Sequence, residues 1–192
     1  MADAPEPGAR RRARGFSLLE LVIVIVLISV LIAVAIDRLL ALKAVAERTA
    51  VEQIVGTMRS ALVIRFAELA AGNRLPEAVK LVGSNPMLLL SERPHSYVGE
   101  LFAPDPAEIP PGHWYFDTRE KLLCYLVESA DYFHSELAGP ARLRFSIEPV
   151  FDDVNRNGRY DAGIDALRGF RLALLEPYDW NVRFKPLRAA ER

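Results

Sequence analysis

The chain has 192 residues, a formal net charge of −1 and a single cysteine, Cys124. One folded domain fits that length. The balanced charge argues against a nucleic-acid binder, and a lone cysteine excludes an intrachain disulfide.

The N-terminus sets four arginines (Arg10, Arg11, Arg12 and Arg14) before Gly15-Phe16-Ser17-Leu18-Leu19-Glu20 and an apolar run ending at Ile36. Glu20 is the only charge in that run. A helix from Phe16 to Ile36 is roughly 30 Å long, enough to cross a bilayer. In lipid the backbone must satisfy its own hydrogen bonds, which favours helix despite the many β-branched residues. The arginines before the run outnumber Arg38, Lys43 and Arg48 after it, which predicts residues 1–15 in the cytoplasm and 37–192 outside. A carboxylate in such a segment is costly and needs a partner or an escape to the interface. Two other readings stay open. Ala33-Val34-Ala35 has the pattern of a secretory cleavage site. In a simple membrane anchor, Glu20 is a helix-start carboxylate favoured by the dipole and wetted by headgroups.

No proline occurs between Phe16 and Pro76. Val51, Val55, Met58, Leu62, Phe66 and Leu69 recur at three- and four-residue steps, which predicts that the helix continues as an amphipathic one over 37–72 and stops at Gly72-Asn73. Residues 73–112 carry seven prolines and read as a long connection. Within it, Asn85-Pro86-Met87-Leu88-Leu89-Leu90 predicts a capped turn of helix. Strands are predicted at His113–Phe116, Lys121–Val127, Ala141–Ile147 and Arg168–Leu175. The fold class is therefore α+β: a long N-terminal helix packed on a four-stranded antiparallel sheet over 113–175. Trp114, Tyr115 and Phe116 are expected to be half core, Cys124 a buried inert thiol, and the basic C-terminus (Arg183, Lys185, Arg188, Arg192) a solvated tail.

One soluble segment carries a ligand-like pattern. Asp153, Asn155, Asn157, the Arg159 carbonyl and Asp161 place oxygens at alternate positions, with Gly158 sixth, as in the first half of an EF-hand calcium loop. Calcium needs several hard oxygen ligands, and glycine permits the bend between them. The twelfth position is Ile164 rather than Glu, so Asp165 is the substitute ligand. The competing reading is an Asx-rich turn between two strands. His95, His113 and His134 share no metal-ligand spacing with Cys124, and neither a phosphate-binding glycine loop nor G-x-S-x-G is present. No enzyme activity is expected.

The basic cluster, Gly15-Phe16 and Glu20 together resemble the processing site of type IV prepilins and type II secretion pseudopilins. The resemblance covers the first third of the chain. It implies that residues 1–15 are a leader and that prepilin peptidase cuts between Gly15 and Phe16 and N-methylates Phe16. It also implies that Glu20 meets the N-terminal amine of a neighbouring subunit. Residues 16–36 are then the transmembrane and assembly half of the helix, 37–72 the amphipathic half, and 73–192 a globular head. The implied partners are other pilin or pseudopilin subunits, the peptidase, an inner-membrane assembly platform with its ATPase, and the bacterial inner membrane itself. Some members of that group bind calcium near the end of the sheet, which bears on the Asp153–Asp165 loop. The alternative is a membrane-anchored periplasmic calcium- or ligand-binding module that does not polymerise.

Overall fold

The structure is a computed structural model and describes residues 17–181. The chain divides into two compact units between Leu40 and Ala41, within helix α1 (Leu18–Ala71).

In the first unit, every side chain from Leu18 to Leu40 is exposed except half-buried Val34. An apolar helix with no covered face is built for a hydrocarbon surrounding. This stretch is long and apolar enough to cross a membrane, and none of it is buried against protein. Ser29 suits the same setting, because its hydroxyl donates to the Ile25 carbonyl one turn back at 2.7 Å.

In the second unit, α1 becomes one-sided. Ala41, Ala44, Val51, Val55, Met58, Leu62 and Leu69 are buried, close to the predicted stripe. Phe66 is half-buried and meets Phe170 edge-on at 5.8 Å. The helix ends in a Schellman turn: Arg74 N–H donates to the Leu69 carbonyl at 2.8 Å and Asn73 N–H to that of Ala70 at 3.1 Å. The left-handed residue is Asn73 (φ 54°), not Gly72.

The sheet corrects the expected four antiparallel strands. It has five, in the order β1 (Tyr97–Leu101), β2 (Trp114–Asp117), β3 (Leu122–Leu126), β5 (Arg142–Asp152), β6 (Ala166–Leu174). The four predicted strands form its antiparallel block, and β1 adds to β2 in parallel, so the sheet is mixed. A separate pair, β4 (Phe133–Ser135) and β7 (Tyr178–Trp180), is antiparallel. The segment 73–112 also holds more than a loop. After α2 (Leu75–Ala78) comes a 3-10 turn at Val79–Leu81, and another, Pro86–Leu89, is capped by Asn85, whose Oδ1 accepts Met87 N–H at 3.0 Å.

Both faces of β2 and β3 are buried, which is why Trp-Tyr-Phe and Leu-Leu-Cys-Tyr-Leu read as unbroken apolar runs. Trp114, Phe116, Leu123 and Tyr125 join Leu143, Phe145, Ile147 and Leu172 in one core with the α1 stripe. Tyr115, Leu122, Cys124 and Leu126 form a second cluster, packed by Leu101 and Ile109 from the ends of the proline-rich connection between β1 and β2. The expectation of a half-core aromatic strand is thus corrected, since Tyr115 on the second face is covered as well.

One polar contact fixes α1 against the sheet. The Glu47 carboxylate accepts Tyr125 O–H at 2.9 Å, Glu128 N–H at 2.6 Å and Ser129 N–H at 2.8 Å. Lys43, one turn earlier, pairs with Glu128 at 2.6 Å. Burial and then the Glu47 charge hold the Tyr125 hydroxyl protonated, far above the usual phenol range. Hydrogen bonds to a charged acceptor are worth more than neutral ones, and removing the acceptor leaves two backbone donors unpaired. Glu47→Ala is therefore expected to destabilise the unit by about 2–3 kcal/mol. Glu52→Ala, which removes only an exposed pair with Arg48, should cost about 0.5 kcal/mol or less. Thermal unfolding of the detergent-extracted full chain, followed by circular dichroism, compares the two, and equal melting temperatures would remove the special role of Glu47.

Candidate functional site

Gly15 and Phe16, the expected cut, lie outside the described residues, as do Arg183, Lys185, Arg188 and Arg192. The described chain begins at Ser17, which caps α1. Its Oγ accepts Glu20 N–H at 3.1 Å, and its carbonyl accepts the first helical bond, from Leu21 N–H, at 3.1 Å. Ser17 and Glu20 thus stand at the N-cap and third helical positions, the spacing of a capping box. Ser-x-x-Glu before an apolar run is the local sequence signature of this cap. Glu20 is exposed in the first turn, where the helix dipole favours a carboxylate. The carboxylate steadies its own helix start and presents a negative charge to any cation or amine arriving beside it.

The Asp153–Asp165 loop joins β5 to β6 and is closed by its own side chains. Asp153 accepts Asn157 N–H at 3.1 Å and Gly158 N–H at 2.8 Å. Asn155 Oδ1 accepts Asn157 N–H at 3.2 Å, and Asn157 Oδ1 accepts Arg159 N–H at 2.7 Å. Both asparagines turn their amide N–H groups to Asp161 Oδ2, at 2.8 and 2.6 Å. Those two bonds, with the nearby Arg159 charge, lower the Asp161 pKa. Asp165, 8% exposed, accepts Val154 N–H at 2.9 Å and Asp161 N–H at 2.8 Å, closing the base of the loop. Arg156 (φ 57°) and Gly158 (φ 74°) supply the left-handed steps of the turn.

The donor chemistry fits a hard cation in type, since every candidate ligand is an oxygen. The geometry is that of an Asx-rich turn. Among the described residues no three His, Cys, Asp or Glu side chains are gathered as metal ligands, and that includes the three carboxylates of this loop.

Cys124 is buried on the second face of the sheet. Burial pushes its thiol up to about 11, a rise only partly offset by its hydrogen bond with Tyr115 and by Arg144 and Arg142. His113 Nδ1 lies 2.9 Å from the Pro111 carbonyl.

Residues 10–36 match the family model of the prokaryotic N-terminal methylation motif. The chain carries the processing signal of a type IV pilin-like precursor. The matched segment holds Gly15, Phe16 and Glu20 and ends with the apolar run at Ile36. It points to cleavage by prepilin peptidase, to association with other pilin subunits and to a structural rather than catalytic protein. With the long apolar helix, it fits a precursor anchored in the inner membrane. No curated protein and no solved structure matches the chain.

The thiol makes a direct test of the sheet's second face. A pKa of about 11 leaves almost no thiolate at neutral pH, and the thiolate is the reactive species. Cys124 is expected to react with an aromatic disulfide reagent only after denaturant is added. Because the folded thiol is the weaker acid, the stability it contributes is complete below the ordinary thiol range and falls as the pH rises towards about 11. Rapid labelling of the native chain at neutral pH would show that the cover over this face is open.

Proposed function

We propose that the chain is a structural subunit of a type IV pilus-like or type II secretion filament. It is cut between Gly15 and Phe16, N-methylated on Phe16 and assembled through its N-terminal helix. The observation that carries this reading is the match over residues 10–36, continuous with a helix that is apolar on every side. Before assembly the subunit sits in the bacterial inner membrane as a single pass, with residues 1–15 cytoplasmic and the head, 73–192, periplasmic. An assembly platform then moves the helix from lipid into a bundle of its own kind, and helix packing offsets the loss of lipid contact. Glu20, exposed in the first turn of its own helix in the lone subunit, there meets the amine of an adjacent Phe16. An unpaired charge in such a bundle is strongly disfavoured, by about 3–5 kcal/mol.

Processing and assembly are tested together. N-terminal mass spectrometry of membrane-extracted protein is expected to find N-methylated Phe16, and Gly15→Ala should leave the precursor uncut. Glu20→Leu should be inserted and cleaved normally but enter sheared filaments poorly. A mature chain starting at Ile36 would make it an ordinary secreted protein. An intact N-terminus with monomeric behaviour would favour a membrane-anchored periplasmic binding module that does not polymerise.

For the loop we propose a calcium site formed by Asp153, Asn155, Asn157, the Arg159 carbonyl and Asp161, with Asp165 as the substitute for the twelfth-position ligand. An all-oxygen donor set and the exposed side chains of Asn155 and Asn157 support it. Binding requires both asparagines to turn their carbonyl oxygens where their amide N–H groups now face Asp161. Calcium at 100-fold excess over its dissociation constant should then stabilise the full chain by about 2.7 kcal/mol. Asp153→Ala and Asp161→Ala should abolish the gain, and identical melting temperatures with calcium and with chelator would leave only the turn.

A further inference from the structure

Of the asparagines Asn73, Asn85, Asn155, Asn157 and Asn181, only Asn157 is followed by glycine. The backbone nitrogen after an asparagine can attack the side-chain amide and close a succinimide ring. A following side chain hinders that approach, and a following proline, as after Asn85, has no N–H to lose. Glycine leaves the nitrogen open. Asn157 and Gly158 are both exposed, and beyond the adjoining residues no atom lies within 4 Å of the place a Cβ on Gly158 would take.

The folded loop adds chemistry to this open junction. Gly158 N–H donates to Asp153 Oδ2 at 2.8 Å, so the proton on the attacking nitrogen already points at a carboxylate. Asn157 Oδ1 accepts Arg159 N–H at 2.7 Å. That bond polarises the carbonyl under attack and faces the charge that develops on its oxygen. It also folds the Asn157 side chain back over the peptide that follows. Asn157 Nδ2, the leaving nitrogen, donates to Asp161 Oδ2 at 2.6 Å. Asn155 shares the side-chain turn and a bond to Asp161, but Arg156 stands after it in place of glycine.

We propose that Asn157-Gly158 is a self-modifying junction, at which the folded loop deamidates Asn157 to aspartate and isoaspartate. Gly158 N bonds to Asn157 Cγ as its proton passes to Asp153. The Cγ–Nδ2 bond then breaks, and the nitrogen takes that proton and leaves as ammonia. Water afterwards opens the imide. Addition at Cγ gives aspartate, and addition at the Asn157 backbone carbonyl carbon gives isoaspartate, with the main chain running through the former side chain. Either product trades a neutral amide for a carboxylate. Asp161 thereby loses one of the two side-chain donors that hold it and gains a like charge nearby. The reaction needs only this chain and water, and it stands whether or not the loop binds calcium.

Detergent-extracted full chain, incubated at neutral pH with chelator, tests it by peptide mass spectrometry. Digestion in heavy-oxygen water separates conversion in the intact chain from conversion during digestion, and an isoaspartate-specific methyltransferase detects the rearranged product. Asn157 should convert while Asn155 stays intact. Conversion should slow about tenfold on unfolding in urea and on Asp153→Asn, a modest factor because a carboxylate is a weak base for an amide. Asp153→Asn keeps an acceptor for Gly158 N–H and removes only the base. The urea comparison uses the unaltered chain, so it decides even where the substitution unsettles the turn. An unconverted Asn157, a native rate no higher than that in urea, or equal rates in wild type and Asp153→Asn would overturn the proposal.

Discussion

Burial of one face of α1 between Val51 and Leu69 is the constraint around which the second unit is arranged. Each buried Val, Met or Leu is worth about 1.5–3 kcal/mol relative to exposure. The sheet answers with Trp114, Phe116, Leu123, Tyr125, Phe145 and Leu172. Apolar contact is non-directional and does not by itself fix where along its axis a helix sits. The Glu47 carboxylate supplies that information, because it must meet the Tyr125 hydroxyl and two backbone N–H groups at one position. The hydrophobic stripe sets the face of the helix, and Glu47 sets its register along the sheet.

The same helix changes character at the division between the units. Up to Leu40 its side chains are exposed on every side, and beyond Ala41 a repeating stripe is covered. A uniform apolar surface slides and rotates freely against hydrocarbon. The polar features at the start of the described helix are the Ser17 cap and the Glu20 carboxylate in the first turn.

Local chemistry was legible in the sequence, and distant chemistry was not. Val51 to Leu69 announced a helical stripe, Asn85-Pro86 announced a capped turn, and alternation in Leu143, Phe145 and Ile147 announced a strand. β1 was hidden because Gly99 interrupts it and prolines flank it, and because a short parallel edge strand is defined by its partner rather than by itself. β4 and β7 are three residues each, and they pair across more than forty residues of chain. Glu47 gave no signal at all, since its acceptor role depends on residues 78 to 82 positions away. At the N-terminus the capping role of Ser17 is legible in the Ser17-x-x-Glu20 spacing before the apolar run. The oxygen-rich loop was visible as a pattern, whereas the direction in which Asn155 and Asn157 turn their amides is a property of the folded turn.

The second cluster, formed by Tyr115, Leu122, Cys124 and Leu126, bears on which parts of the surface are free to vary. Prolines, a 3-10 turn at Pro106–Glu108 and several exposed positions give the connection between β1 and β2 the composition of an expendable loop. Tolerance to insertion follows burial rather than composition. Leu101 and Ile109 pack over these four side chains. Lengthening the segment between them would loosen the cover and uncover four apolar side chains. The drift in length that such a connection ordinarily permits is thus restricted here.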